Sequence, residues 1–197
     1  MIFNVPTNLF IEALAVLFAV TYLLLAVKQD VKCWFAAIIS STLYFFIMYK
    51  AGLYMEAWLQ IFYIVMAFYG IQQWTVTNNN QSKFIVRSWR WNTHFWVIAI
   101  IIILAIITGL LLEKFTNAAL PFLDGLTTWG AIITTYMVAK RLLENWIYWF
   151  VIDMISIYLF LSRGLFLTAI LFCIYLVIIF FGYRSWIKIR DKNIKNA

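Results

Sequence analysis

Seven runs of roughly twenty mainly apolar residues, near 8–27, 32–50, 53–74, 94–112, 118–139, 144–161 and 165–187, take up most of this 197-residue chain. A helix that crosses a bilayer needs about 20 such residues. The chain is 65% hydrophobic and 12% charged, whereas an ordinary soluble domain is about 45–50% apolar. The expected fold is therefore an all-α integral membrane protein of seven transmembrane helices.

Where the basic residues fall between the runs sets an expected orientation. With the N-terminus outside, the inner side receives Lys28, Lys32, Lys83, Arg87, Arg90, Lys140, Arg141, Arg184, Lys188, Arg190, Lys192 and Lys195, and the outer side keeps Lys50, Lys114 and Arg163. The expectation is N-out, C-in. The net charge of +7 then reflects positive-inside bias and contact with anionic lipid head groups, not nucleic-acid binding. The opening segment has no basic n-region and no small-residue cleavage pattern, so the first run reads as a retained span. Cys33 and Cys173 form no motif and read as helix-packing residues. His94 stands alone, so no metal site is expected, and no cofactor-binding motif is visible.

Sliding the chain along itself by 112 residues aligns 28–74 with 140–186 without a gap, with eleven identities. They include Trp34/Trp146, Gly52/Gly164, Tyr63/Tyr175, Gly70/Gly182 and Trp74/Trp186. The first three helices correspond to the last three, and the fourth is a single connector. A three-helix unit ends on the side opposite its start, so one extra crossing lets the second copy begin in the same orientation. The expected arrangement is a 3+1+3 parallel repeat: 1–74 the first three-helix unit, 75–116 a cytoplasmic loop and connector helix, and 117–197 the second unit with a basic cytoplasmic tail. Parallel repeats of this kind occur in transporters, with the substrate near the bilayer midplane. The polar run 75–94 reads as a loop whose asparagines suit turns and whose Arg87, Trp89, Arg90 and Trp91 suit a membrane-surface anchor.

Polar residues inside the runs mark candidate functional positions. An aspartate at the centre of a spanning helix costs roughly 2.5 to 3.5 kcal/mol on insertion scales, and Asp153 lies near the middle of the sixth run. Asn145, Trp149, Asp153 and Ser156 recur at helical steps, as do Glu56, Gln60, Tyr63, Ala67, Gly70 and Trp74 in the third run; each set makes a stripe that must face protein. Glu12, Glu56 and Asp124 sit within about two turns of the outer helix ends, as an acidic vestibule that attracts a cation. With Trp146, Trp149, Tyr63 and Tyr158 near the same route, the chemistry suits a flat, positively charged ring held by stacking and cation–π contact. The repeats differ at the polar positions: Gln60 matches Phe172, Asp153 matches Ser41, Asn145 matches Cys33 and Trp149 matches Ala37. A pocket between such halves is asymmetric.

The stretches "LYMEAWLQIFYIVMAFYGIQQW" at 53–74 and "ENWIYWFVIDMISIYLFLSRGLFLTAILFCIYLVIIFFGYRSW" at 144–186 resemble the PnuC family of vitamin transporters. The match lies in Leu-Gln followed by Tyr-Gly and a terminal Trp, in a Glu-x-Trp-x-x-Trp-x-x-x-Asp signature, and in a closing Gly-x-x-x-Trp. The resemblance implies uptake of nicotinamide riboside across a bacterial inner membrane by facilitated diffusion, with cytoplasmic phosphorylation trapping the product. It implies a substrate site lined by Gln60, Tyr63, Trp146, Trp149 and Asp153, with Asn145 beside them. Ile71 departs from the family's usual Trp, and relatives carry thiamine or riboflavin, so these remain alternative substrates.

Two other classes fit less well. An intramembrane enzyme would need Glu56 and Asp153 as an acid/base pair, and no nucleophile elbow, zinc-binding His pair or Gly-rich phosphate loop accompanies them. A sugar carrier of the SWEET type shares parallel three-helix repeats but typically uses hinge prolines within them; here Pro6 and Pro121 lie near helix starts. No Lys or His faces Asp153 as a proton relay, which favours passive transport. The expected partners are a small vitamin and membrane lipids, with homo-oligomer formation left open.

Overall fold

The computed structural model describes residues 5–50, 54–79, 86–115, 120–162 and 166–195. Among these residues the chain forms seven helices and no strand. They are α1 (Val5–Val27), α2 (Lys32–Lys50), α3 (Tyr54–Asn79), α4 (Trp91–Phe115), α5 (Pro121–Ala139), α6 (Asn145–Ser162) and α7 (Phe166–Lys195). Two helices outrun their apolar windows. α3 continues through 75–79, where turns were expected, and α7 continues through a basic stretch to Lys195. Hydropathy marks what can sit in hydrocarbon, whereas neither polar extension holds a Gly or Pro that would stop the helix.

The outward faces show why these helices suit lipid. Leu17, Phe46, Phe68, Ile103, Leu110, Val151 and Phe181 are all exposed, where a soluble helix would present polar groups. α4 and Ala169–Lys192 of α7 are long and apolar enough to cross a bilayer on length and composition alone. Cys33 is buried as expected of a packing residue, but Cys173 faces outward.

The chain divides into two compact units, Met1–Phe84 and Ile85–Ala197. In the first, α2 packs against both α1 and α3. Small residues let the backbones approach: Ala15, Ala26, Ala36, Ala57 and Ala67 are buried, and Ser40 Oγ donates to the Ala15 carbonyl at 3.0 Å. In the second, α6 packs against both α5 and α7, and α4 lies along α5. That last contact is close. Gly125 faces the Ala105 carbonyl and Thr108, and Gly109 lies under the Phe122 ring, with no room at either for a Cβ.

Each unit contains the same local construction 112 residues apart. Trp34 stacks edge-on against Trp74 with ring centroids 5.4 Å apart at 79°, and Trp146 against Trp186 at 5.4 Å and 88°. Gly70 lies directly under Trp34 and Gly182 under Trp146. The turn leading into each middle helix also repeats. Gln29 and Arg141 both have positive φ, 56° and 54°. Gln29 N donates to the Ala26 carbonyl and Asp30 N to that of Leu25, while Arg141 N donates to Val138 and Leu142 N to Met137. Both are Schellman closures, which usually place Gly at the left-handed position. Here each holds a long polar side chain, and both are buried.

The segment before α4 is more than a surface anchor. Arg87 forms a single parallel bridge with Leu142: Arg87 N donates to the Arg141 carbonyl at 3.0 Å, and Leu143 N to the Arg87 carbonyl at 2.9 Å. Ser88 Oγ donates to the Glu144 carboxylate, whose other oxygen accepts from Trp89 N at 3.4 Å. One turn into α4, His94 Nδ1 lies 2.9 Å from the Tyr148 hydroxyl and its ring contacts Trp89 and Trp91. The histidine that looked solitary is part of this docking, and no metal-ligand cluster occurs among the described residues.

Candidate functional site

α6 divides cleanly into two faces. Ile147, Phe150, Val151, Met154, Tyr158 and Leu161 are exposed, whereas Asn145, Trp146, Ile152, Asp153, Ser156 and Leu159 are buried. The division follows from 3.6 residues per turn. Asp153 is only 3% exposed, and among the described residues its carboxylate has no hydrogen-bond or ion-pair partner. A buried charge without a partner is costly by several kcal/mol. At 3% exposure this carboxylate does not face lipid.

The neighbouring positions have unmet hydrogen-bonding capacity too. Asn145 is fully buried; its Nδ2 donates to the Leu142 carbonyl at 2.5 Å, while its Oδ1 has no partner. The Trp146 ring is held by Trp186 and Gly182, so its faces serve packing, but its indole N–H is buried without an acceptor. Trp149 is half-buried on the same side. Buried polar atoms are nearly always paired in a native protein. The buried face of α6 thus carries a carboxylate at Asp153, and an amide oxygen at Asn145 and an indole N–H at Trp146 that have no partner among the described residues.

Tyr158 is not part of this face. It is 60% exposed and points outward with the lipid-facing residues, so its ring does not stack on this face.

In the first unit, the α3 stripe faces protein: Ala57, Ala67, Gly70 and Trp74 are buried, while Trp58, Val65 and Phe68 on the other side are exposed. Gln60 and Tyr63 lie on the inward stripe and are half-buried. The Tyr63 ring rests 6.1 Å from that of Phe62. The side chains of Glu12 and Glu56 lie outside the described residues. Asp124 occupies the first turn of α5 and is half-buried, where a carboxylate also complements the helix dipole.

Gln29 was not singled out from the sequence. It is 5% exposed, and both its amide oxygen and nitrogen are buried without partners. Its left-handed backbone gives no signal in a single sequence, since Gln is not a residue that marks such positions. Thr134 and Thr135 are also buried, but each hydroxyl donates to the carbonyl four residues back, at 2.7 Å, and is satisfied there.

Comparison with known proteins supplies the context for this face. Residues 9–188 match the family described as Nicotinamide mononucleotide transporter. The chain is 24% identical over 203 residues to the Nicotinamide riboside transporter PnuC of Escherichia coli, across 90% of this chain and 85% of that protein. It is 24% identical over 126 residues to the Riboflavin/roseoflavin transporter RibM of Streptomyces davaonensis, across 62% of this chain and 59% of the relative. The crystal structure of the Vitamin B3 transporter PnuC matches with a TM-score of 0.75 at 20% identity, covering 97% of this chain and 85% of that one, which establishes a shared fold. With its length matched from residue 9 to residue 188, the chain belongs to the nicotinamide mononucleotide transporter family, to which the PnuC proteins also belong, and is a membrane transporter rather than an enzyme.

Proposed function

We propose that the chain carries nicotinamide riboside across a bacterial plasma membrane by facilitated diffusion, with phosphorylation in the cytoplasm trapping what enters. The observation that carries this reading is Asp153, a buried carboxylate with no partner among the described residues. Nicotinamide riboside is a cationic aromatic ring on a neutral sugar, so it brings the missing positive charge, and its amide and hydroxyls can meet Asn145 Oδ1 and the Trp146 N–H. Gln60, Tyr63 and Trp149 complete the proposed lining, and Glu12, Glu56 and Asp124 the outer vestibule. The mononucleotide carries a phosphate that makes the molecule a net anion, and an unpaired carboxylate selects against it.

Thiamine is the second reading, because it too presents a cationic ring to Asp153. Riboflavin, named for one relative, is neutral and leaves the carboxylate uncompensated. The split of Lys and Arg supports N-out, C-in insertion, and the repeat of 112 residues supports a duplicated three-helix unit of the kind transporters use. Proteoliposome uptake of labelled nicotinamide riboside tests the proposal. Parent protein should equilibrate the label and a protonophore should not change the rate; Asp153→Asn should slow entry at least tenfold, the scale of a lost buried charge contact, and Gln60→Ala by about three- to tenfold, the scale of one neutral hydrogen bond. Parental uptake by both variants, at matched insertion, would remove the site.

A further inference from the structure

The docked segment before α4 meets the chain at the residue that starts α6. Glu144 does two things there. Its backbone carbonyl accepts from Ile147 N at 3.0 Å and Tyr148 N at 3.1 Å, which opens the helix. Its carboxylate accepts from Ser88 Oγ with one oxygen and from Trp89 N with the other. The backbone bridge between Arg87 and Leu142 lies just before it, and the His94–Tyr148 contact lies one turn beyond. The segment 86–94 therefore grips both sides of the first turn of α6. The corresponding corner of the first unit is built differently: Asp30 Oδ1 accepts from Lys32 N within the same turn, and Lys32 occupies the position equivalent to Glu144.

The geometry points to Glu144 as a positioning residue that fixes the depth and rotation of the α6 face carrying Asn145, Trp149 and Asp153, by holding Ser88 and Trp89 while its carbonyl starts the helix. A helix is stiff over this distance. Asp153 is nine residues on, roughly 13 Å along the axis at 1.5 Å per residue, so a tilt of about 5° at Glu144 moves it by about 1 Å. A displacement of that size is enough to spoil alignment with a bound molecule. The inference rests on the reading of α6 as the substrate-binding face, and its test separates the two.

Purified full-length protein is titrated with nicotinamide riboside, and hydrogen exchange is followed at the Arg87 and Leu143 amides, which report on the bridge directly. Glu144→Ala should speed exchange at both amides and weaken binding by about tenfold, the scale of hydrogen bonds to a charged group. Ser88→Ala, a milder change that covers a failure of Glu144→Ala to fold, should do the same to a smaller degree. The double variant should bind no more than about twofold weaker than Glu144→Ala, because both substitutions open one clasp. Glu144→Gln should recover binding to within about threefold of the parent, since its carboxamide oxygen can accept from Trp89 N and its NH2 can donate to Ser88 Oγ. Faster exchange with parental binding, unchanged exchange in Glu144→Ala, or Gln binding as weakly as Ala would each overturn the assignment. Asp153→Asn in the same titration distinguishes the cases: if it binds like the parent, the substrate face itself is misassigned.

Discussion

Asp153 is a liability to the empty protein. Its carboxylate is removed from water without a partner among the described residues, so replacing it with the neutral amide should leave the ligand-free protein as stable as before or more so. Thermal unfolding in detergent should show Asp153→Asn melting at or above the parent in the absence of substrate, with the substrate-induced rise in melting temperature largely lost. A marked fall without substrate would mean that the carboxylate holds the fold together. Asp153 was legible in the sequence because a charge inside an apolar run is conspicuous, and Gln60 because a polar amide in such a run stands out too. The outward position of Tyr158 was legible as well, since five residues past Asp153 is about 140° around a helix; nearness in sequence masked it. Gln29 was not legible, because its interest lies in backbone angle and burial, which composition does not carry.

At the scale of the element, the paired Trp and Gly residues are the clearest point where sequence and structure agree. The offset alignment found Trp34, Gly70 and Trp74 matched with Trp146, Gly182 and Trp186, and the structure shows why those types recur: each glycine makes room for the indole that locks the third helix of the unit against its second. Gly70→Ala and Gly182→Ala should therefore each destabilise by about 1 to 3 kcal/mol through overpacking, read as a lower melting temperature in detergent. The turns behave oppositely. A left-handed L-residue costs roughly 1 to 2 kcal/mol, which glycine avoids at some cost in chain entropy. Gln29 makes no side-chain hydrogen bond among the described residues, so Gln29→Gly should melt no lower than the parent, and a clear loss of stability would show that its buried amide supports the corner. Helix ends were the less legible part of each element: apolar windows gave the spans, but the helical extensions of α3 and α7 depend on backbone hydrogen bonding that continues past the hydrocarbon.

For the whole molecule, the helical spans and the transporter family followed from hydropathy, the repeat and the stretches 53–74 and 144–186. The docking of 86–94 on the α5–α6 corner did not. It joins residues more than fifty positions apart, Ser88 to Glu144 among them, and such a pairing leaves no periodic trace. The proposed orientation has its own check: a reporter active only in the cytoplasm should work when fused after α7 and fail when fused in the loop between α2 and α3, as the distribution of Lys and Arg requires. The central claim is that a buried, unpartnered carboxylate selects a cationic ring, and calorimetric titration of purified protein tests it most directly. The account predicts that nicotinamide riboside binds the parent and binds Asp153→Asn at least tenfold more weakly, while neutral riboflavin binds weakly to both. Equal affinity of parent and variant for nicotinamide riboside would contradict it.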